Sequence, residues 1–239
     1  MKKAMQAFAL ASLMGSASVF AASASAVSVA SNGGSATSTA TASGNAVSNA
    51  YSGAVNGGVA VSNSHATGTR RAAAISNSVA IADSGFARSD STARGISRWG
   101  GAAIARSDSL AATVGGVAIS RSDAYALGRF GGLAESDSTS TATSIGGVAI
   151  SDGSAVSDGI HGGRAVSVSD SLADTFGGVS HSQVRAVSGA TQYGSAYSDG
   201  IGVSISGPHR SSSATVRAES RAYRMGRSRS SVSAVEIRR

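Results

Sequence analysis

Six Gly-Gly pairs set the rhythm of this chain: Gly100-Gly101, Gly115-Gly116, Gly131-Gly132, Gly146-Gly147, Gly162-Gly163 and Gly177-Gly178. The steps from pair to pair alternate strictly between fifteen and sixteen positions. A short fixed period means one structural unit that stacks on copies of itself, because a single unit this small cannot bury a core alone. The residue before each pair is usually bulky: Trp99, Val114, Phe130, Ile145, His161 and Phe176. Two units four periods apart are nearly the same string, Ser-Asp-Ser-Leu-Ala-Ala-Thr-Val at 107–114 and Ser-Asp-Ser-Leu-Ala-Asp-Thr-Phe at 169–176.

Counted from its first glycine, each unit has small residues at positions four and six. These are Ala103, Ala118, Ala134, Ala149, Ala165 and Ser180, then Ala105, Ser120, Ser136, Ser151, Ser167 and Ser182. Positions three and five are mostly Val or Ile but admit Glu135, Arg164 and His181. Strict alternation is the mark of a β-strand, whose successive side chains point to opposite faces, and frequent glycine opposes a helix. An unpaired buried Glu or Arg is costly, so the small residues are expected inward and the Val/Ile face outward. The sequence therefore predicts an all-β fold, a β-solenoid of the β-roll or β-helix kind with 15–16-residue coils. Eleven or twelve such coils over residues 27–206 would make a rod of roughly 50–60 Å at ~4.8 Å per coil. The regular array spans 85–193, and 27–84 carries the same composition in looser register.

The ends read differently. Lys2 and Lys3 precede a mostly apolar run from Ala4 to Met14, and small residues follow at Val19-Phe20-Ala21 and Ala24-Ser25-Ala26. This is the pattern of a bacterial secretory signal peptide, assigned to residues 1–26. The run is too short and too rich in Gly and Ser to span a bilayer, and no later segment reads as a transmembrane helix. Cysteine is absent, so disulfides do not staple the fold. The remaining basic residues are 18 arginines against 13 acids. Eight of those arginines, with only Glu219 and Glu236, fall from Gly207 onward, whereas residues 27–206 sum to −1. Residues 207–239 are thus expected as a flexible basic tail, in which Arg217, Arg221, Arg224, Arg227 and Arg229 would meet polyanions.

The Ala/Ser/Val/Gly alternation resembles the β-solenoid repeats of bacterial adhesins, including the head repeats of trimeric autotransporters. The resemblance covers residues 85–206 well and 27–84 loosely, and it carries over no functional residue. It implies a secreted or cell-surface protein of adhesive or structural kind, in an extracellular matrix or biofilm. The other readings are a self-assembling fibre subunit and a disordered low-complexity chain with a polyanion-binding tail. Candidate partners are a second copy, surface polysaccharide, lipopolysaccharide or extracellular DNA.

Chemistry-bearing motifs are few. Ser-Asp pairs recur through the array, and a carboxylate on each coil invites calcium. The Asp residues change unit position, however, so turn chemistry explains them better. His65, His161, His181 and His209 are scattered without metal-ligand spacing. No nucleophile elbow or phosphate loop occurs. The expectation is a non-enzyme without a cofactor. The bulky residues ahead of the glycines are expected to stack as one column along one edge.

Overall fold

The computed structural model describes residues 21–69, 73–97, 102–130, 132–176, 178–207, 211–224 and 226–238. Within them the chain forms strands β1 (Ala21–Ala30), β2 (Ser35–Ala54), β3 (Val59–Thr69), β4 (Ala73–Asp83), β5 (Phe86–Ser97), β6 (Ala102–Val114) and β7 (Val117–Arg129). Then follow β8 (Leu133–Ile145), β9 (Val148–Ile160), β10 (Arg164–Phe176), β11 (Val179–Thr191), β12 (Ser195–Ser206), β13 (Ser212–Tyr223) and β14 (Arg227–Arg238). The expected signal peptide lies outside the described residues up to position 20. Its last residues, 21–26, are paired in β1, where Ala21 to Ala30 run beside Asn45 to Ala54.

The fold is a β-solenoid with two strands per coil. Odd-numbered strands from β3 onward lie in one sheet, here sheet B, and even-numbered strands from β4 onward in the other, sheet A. β2 turns the first corner itself: its first half pairs with β3 and its second half with β4 and β1. The neighbours within each sheet are parallel, as in β7 beside β9 and β8 beside β10.

The short unit bounded by glycine pairs is therefore one strand with its turn, and two units close one coil. Ala118 lies beside Ala149, and Leu133 beside Arg164, one full coil on in each case. The coil is twice the length expected, for a physical reason: a small-residue face needs an opposing sheet to bury it, and the second strand supplies that sheet. There are about six turns, not eleven or twelve. At ~4.8 Å per turn the solenoid is roughly 30 Å long, while a strand of β7's length spans about 40 Å. The body is a slab rather than a rod.

The slab also tapers, because the sequence step between register partners grows along it. The step is 24 from Ala22 to Ala46, 28 from Ala46 to Ala74, 31 from Ile104 to Glu135 and 32 from Ser195 to Arg227.

The core is made of small groups. Ala118, Ala149, Ala165, Ser120, Ser151 and Ser167 are fully buried, and Val184 is the only buried apolar residue described that is larger than Ala. Val184 and Val216 fit because Gly200 and Gly202 stand opposite. A Cβ on Gly202 would sit 2.6 Å from Val216 Cγ2. The outward positions Val117, Ile119, Val148 and Ile150 are only half-buried.

Serine hydroxyls tie the sheets together in a directional zigzag. Ser120 donates to the Ser109 carbonyl (2.8 Å), Ser140 to Ser120 (2.8 Å), Ser151 to Ser140 (2.7 Å), Ser171 to Ser151 (2.9 Å) and Ser182 to Ser171 (2.8 Å). The sequence steps alternate between 11 and 20. Ser136, Ser167 and Ser198, at the same unit position in sheet A as Ser120, Ser151 and Ser182 in sheet B, have no hydrogen-bond partner among the described residues.

Residues 212–238, expected as a flexible tail, are the last two strands. β13 pairs with β11 over Ser212–Tyr223 and β14 with β12 over Arg227–Arg238. Alternation persists beneath the arginines, and β11 and β12 offer unpaired backbone edges that the segment satisfies. The terminal coil is guarded by charge. Glu219 holds Arg217 (3.0 Å) and Arg221 in ion pairs, and Glu236 Oε1 accepts the backbone N–H of Ala214 (3.2 Å). The paired strands also overturn the reading of a disordered chain.

Candidate functional site

Each coil has two corners, and they differ in chemistry. At the first, the chain passes from sheet A to sheet B; at the second, it returns.

The first corner is closed by glycine. Gly115 and Gly146 take positive φ (69° and 71°), a backbone shape that suits residues without Cβ. The second glycine of each pair meets the coil below. The Gly116 carbonyl accepts the Val148 N–H at 3.0 Å, and a Cβ on Gly147 would overlap that same carbonyl oxygen. So the two glycines of a pair have separate reasons, one a dihedral and one a close approach. Gly177, Gly131, Gly100 and Gly101 lie outside the described residues.

Around this corner the side chains are apolar. Val114, Ile145 and Phe176 end β6, β8 and β10 in direct register, and Phe176 is 75% exposed. Val117, Val148 and Val179 begin the next strands in register on the other side. Ile81, Val114, Ile145, Phe176 and Ile205 line a groove of about 350 Å³ along this edge.

The second corner is polar and basic. Phe130 and His161 take the left-handed conformation (φ 56° and 59°), and their rings stack with centroids 5.0 Å apart. Nδ1 of His161 meets Oε1 of Gln192 on the next coil. Gly132 and Gly163 make the close approach here, with a Cβ on Gly163 only 2.7 Å from the Gly132 oxygen. Flanking this corner are Arg129 at the end of β7, Arg164 at the start of β10, Arg224 in the turn after β13 and Arg227 at the start of β14.

The expected single column of Trp99, Val114, Phe130, Ile145, His161 and Phe176 is thus two columns on opposite edges. Val114, Ile145 and Phe176 form one; Phe130 and His161 belong to the other, and Trp99 lies outside the described residues. Successive units alternate between corners, so only every second unit shares an edge.

The faces between the edges carry the acids. Asp108, Asp137 and Asp170 on sheet A, and Asp123, Asp152 and Asp158 on sheet B, all have carboxyls raised above the usual range, chiefly by burial. Neighbouring carboxylates add to this at Asp137 and Asp123. Glu219 is lowered, first by its hydrogen bond from Arg217. Among the described residues, the ion pairs take up Arg88 with Asp90 (2.7 Å), Arg106 with Glu135 (3.6 Å), and Arg217 and Arg221 with Glu219. Arg129, Arg164, Arg224 and Arg227 of the second corner take part in none of these.

For calcium, no group of three or more His, Asp or Glu residues among those described is arranged to hold a metal ion. In the array the serine of each Ser-Asp pair mostly faces the core and the Asp outward, as with Ser107-Asp108 and Ser122-Asp123. The five arginines expected as a tail are divided. Arg217 and Arg221 are on the outer face of sheet B, Arg224 in the turn, and Arg227 and Arg229 on sheet A.

The chain matches no protein-family model, and no curated protein or solved structure is similar enough to count as a relative.

Proposed function

We propose that this chain is a non-catalytic structural and adhesive protein of the bacterial surface or extracellular matrix, exported by its N-terminal segment. The supporting observation is the contrast between interior and exterior. The core is Ala, Ser and Gly closed by backbone ladders, so it encloses nothing, while the outward positions set two edges of opposite chemistry at fixed spacing. Such a body displays residues rather than surrounding a substrate. Fractionation of the producing bacterium tests this: the protein is expected in the surface or matrix fraction, and its deletion should weaken attachment. Recovery from the cytosol alone, with attachment unchanged, would refute the reading.

The fibre reading has one observation in its favour. Among the described residues, the N-terminal edge that remains once residues 1–26 are removed, Val27–Ala30 of β1 with the first half of β2, has no charged residue and is an open template for another strand. The taper opposes simple head-to-tail stacking, because the two ends of the slab differ in width.

A further inference from the structure

We propose that the second corner, with the adjoining part of sheet B, is a binding track for a linear acidic polysaccharide; this rests on the adhesive reading and names its ligand. Sequence order disperses the arginines, but the coil gathers them. Arg129 and Arg164 come from the array, and Arg221, Arg224 and Arg227 from the terminal coil, yet all stand at or beside the same corner.

Two further observations favour an anionic ligand here. First, two arginines of the faces are paired with acids, Arg88 with Asp90 and Arg106 with Glu135, while Arg129, Arg164, Arg224 and Arg227 have no carboxylate partner among the described residues. Several unneutralised guanidinium groups on one line repel one another, and an anion between them removes that repulsion. Second, a groove of about 640 Å³ runs beside the corner on sheet B, lined by Tyr125, Arg129, Asp158, Arg185, Arg221 and Tyr223. Arg185 is in direct register with Arg217 on the next coil. Rungs repeat at ~4.8 Å, a distance comparable to one sugar ring along an extended chain.

The lining chooses between polymers. Arginines alone would suit a nucleic acid equally well. Here the carboxylates of Asp158 and Glu219 share the groove, and they would repel a phosphate at every residue while accepting hydrogen bonds from sugar hydroxyls. The tyrosine rings offer apolar faces for sugar rings. A polymer with spaced acidic groups and many hydroxyls meets all three features.

The test uses the full mature chain and two charge-matched triple variants, R129S/R164S/R227S at the corner and R88S/R106S/R121S on the faces, with circular dichroism to show that each folds. Probes are hyaluronate and unsulfated chondroitin, in which acidic and neutral sugars alternate, and single-stranded oligo(dT). Binding of the two polysaccharides is expected to fall about tenfold or more in the corner variant, with a flatter salt dependence, since lost contacts release fewer counterions. The face variant should stay within about twofold of the unchanged chain. Equal losses in both variants would mean attraction by net charge only and overturn the track. No loss in the corner variant would overturn it too, as would tighter binding of oligo(dT) than of either polysaccharide at equal salt. Attachment of cells is scored separately. A corner variant that still supports attachment while binding no less polysaccharide ends this inference and leaves the adhesive reading standing; corner-dependent binding by a chain irrelevant to attachment does the reverse.

Discussion

The two corners of the coil do the same geometric job with different materials. Both reverse the chain, both use a left-handed residue, and both stack a glycine on the coil below. The first corner surrounds that turn with Val114, Ile145, Phe176, Val117, Val148 and Val179; the second surrounds it with Arg129, Arg164, Phe130 and His161. Their packing differs too. A Cβ would overlap the neighbouring carbonyl outright at Gly116 and Gly147, but would lie 2.7 Å from it at Gly163. Within the array the tighter corner is the apolar one, and at the other corner polar side chains bond from coil to coil. The two corners can differ in this way because alternate units never share an edge.

The sharpest way to break this comparison is to add one methyl group to each corner. Gly147→Ala should cost more than about 3 kcal/mol, since its Cβ meets a backbone oxygen already engaged by Val148 and nothing flexible can yield. Gly163→Ala should cost about 1–3 kcal/mol. Chemical denaturation of the two variants measures the difference, and equal costs would mean the corners are equally tight.

Serine substitutions carry the same odd-even distinction into the core. Ser151→Ala removes a hydroxyl that donates to Ser140 and should lose about 1 kcal/mol. Ser167→Ala removes a buried hydroxyl without a partner and should be neutral or stabilising. Melting both variants beside the unchanged chain decides it; a loss at Ser167 as large as that at Ser151 would make the two sheets equivalent.

The smallest expected effect comes from the faces that separate the corners. Asp108, Asp123, Asp137, Asp152, Asp158 and Asp170 have raised carboxyls, so the folded chain takes up protons at higher pH than the unfolded one. Their contribution is full below the unfolded value and fades as pH rises through the folded values. Tm should therefore rise modestly as pH is lowered toward the unfolded value of about 4. Glu219, lowered and exposed, works weakly in the opposite sense. Asp108→Asn with Asp137→Asn should flatten the profile; a Tm that falls on acidification with all six carboxyls present would reverse the assigned sign.

Much of this fold is legible in the residues. The alternation of small and bulky positions puts Ala118 and Ser120 inside and Ile119 outside, as they lie. The coil is longer than the glycine period suggests, yet the clue is present: the two step lengths alternate strictly, so only their sum is constant. Sorting the glycine pairs by parity separates Val-Gly-Gly-Val, Ile-Gly-Gly-Val and Phe-Gly-Gly-Val from Trp-Gly-Gly-Ala, Phe-Gly-Gly-Leu and His-Gly-Gly-Arg. That sorting also finds the two edges. The terminal strands are hidden because eight arginines outweigh, in any compositional reading, the Ser and Ala beneath them. Pairing to β11 and β12 is a tertiary fact that no local window contains. Arg129 and Arg164 escape notice as a set because they are distant in sequence and meet only through register.

The serine zigzag has a consequence for how such a gene can change length. Its alternating steps have a phase, and equivalent serines in the two sheets have unequal partners. Duplicating or deleting one glycine-bounded unit would put every later strand in the wrong sheet, exchange the apolar and basic edges beyond that point and break the hydroxyl chain. A viable change inside the array comes in steps of two units, so length variants of this protein should differ by one whole coil or a multiple of it. The near-identical segments at 107–114 and 169–176, two whole coils apart on sheet A, have the spacing that such a duplication leaves.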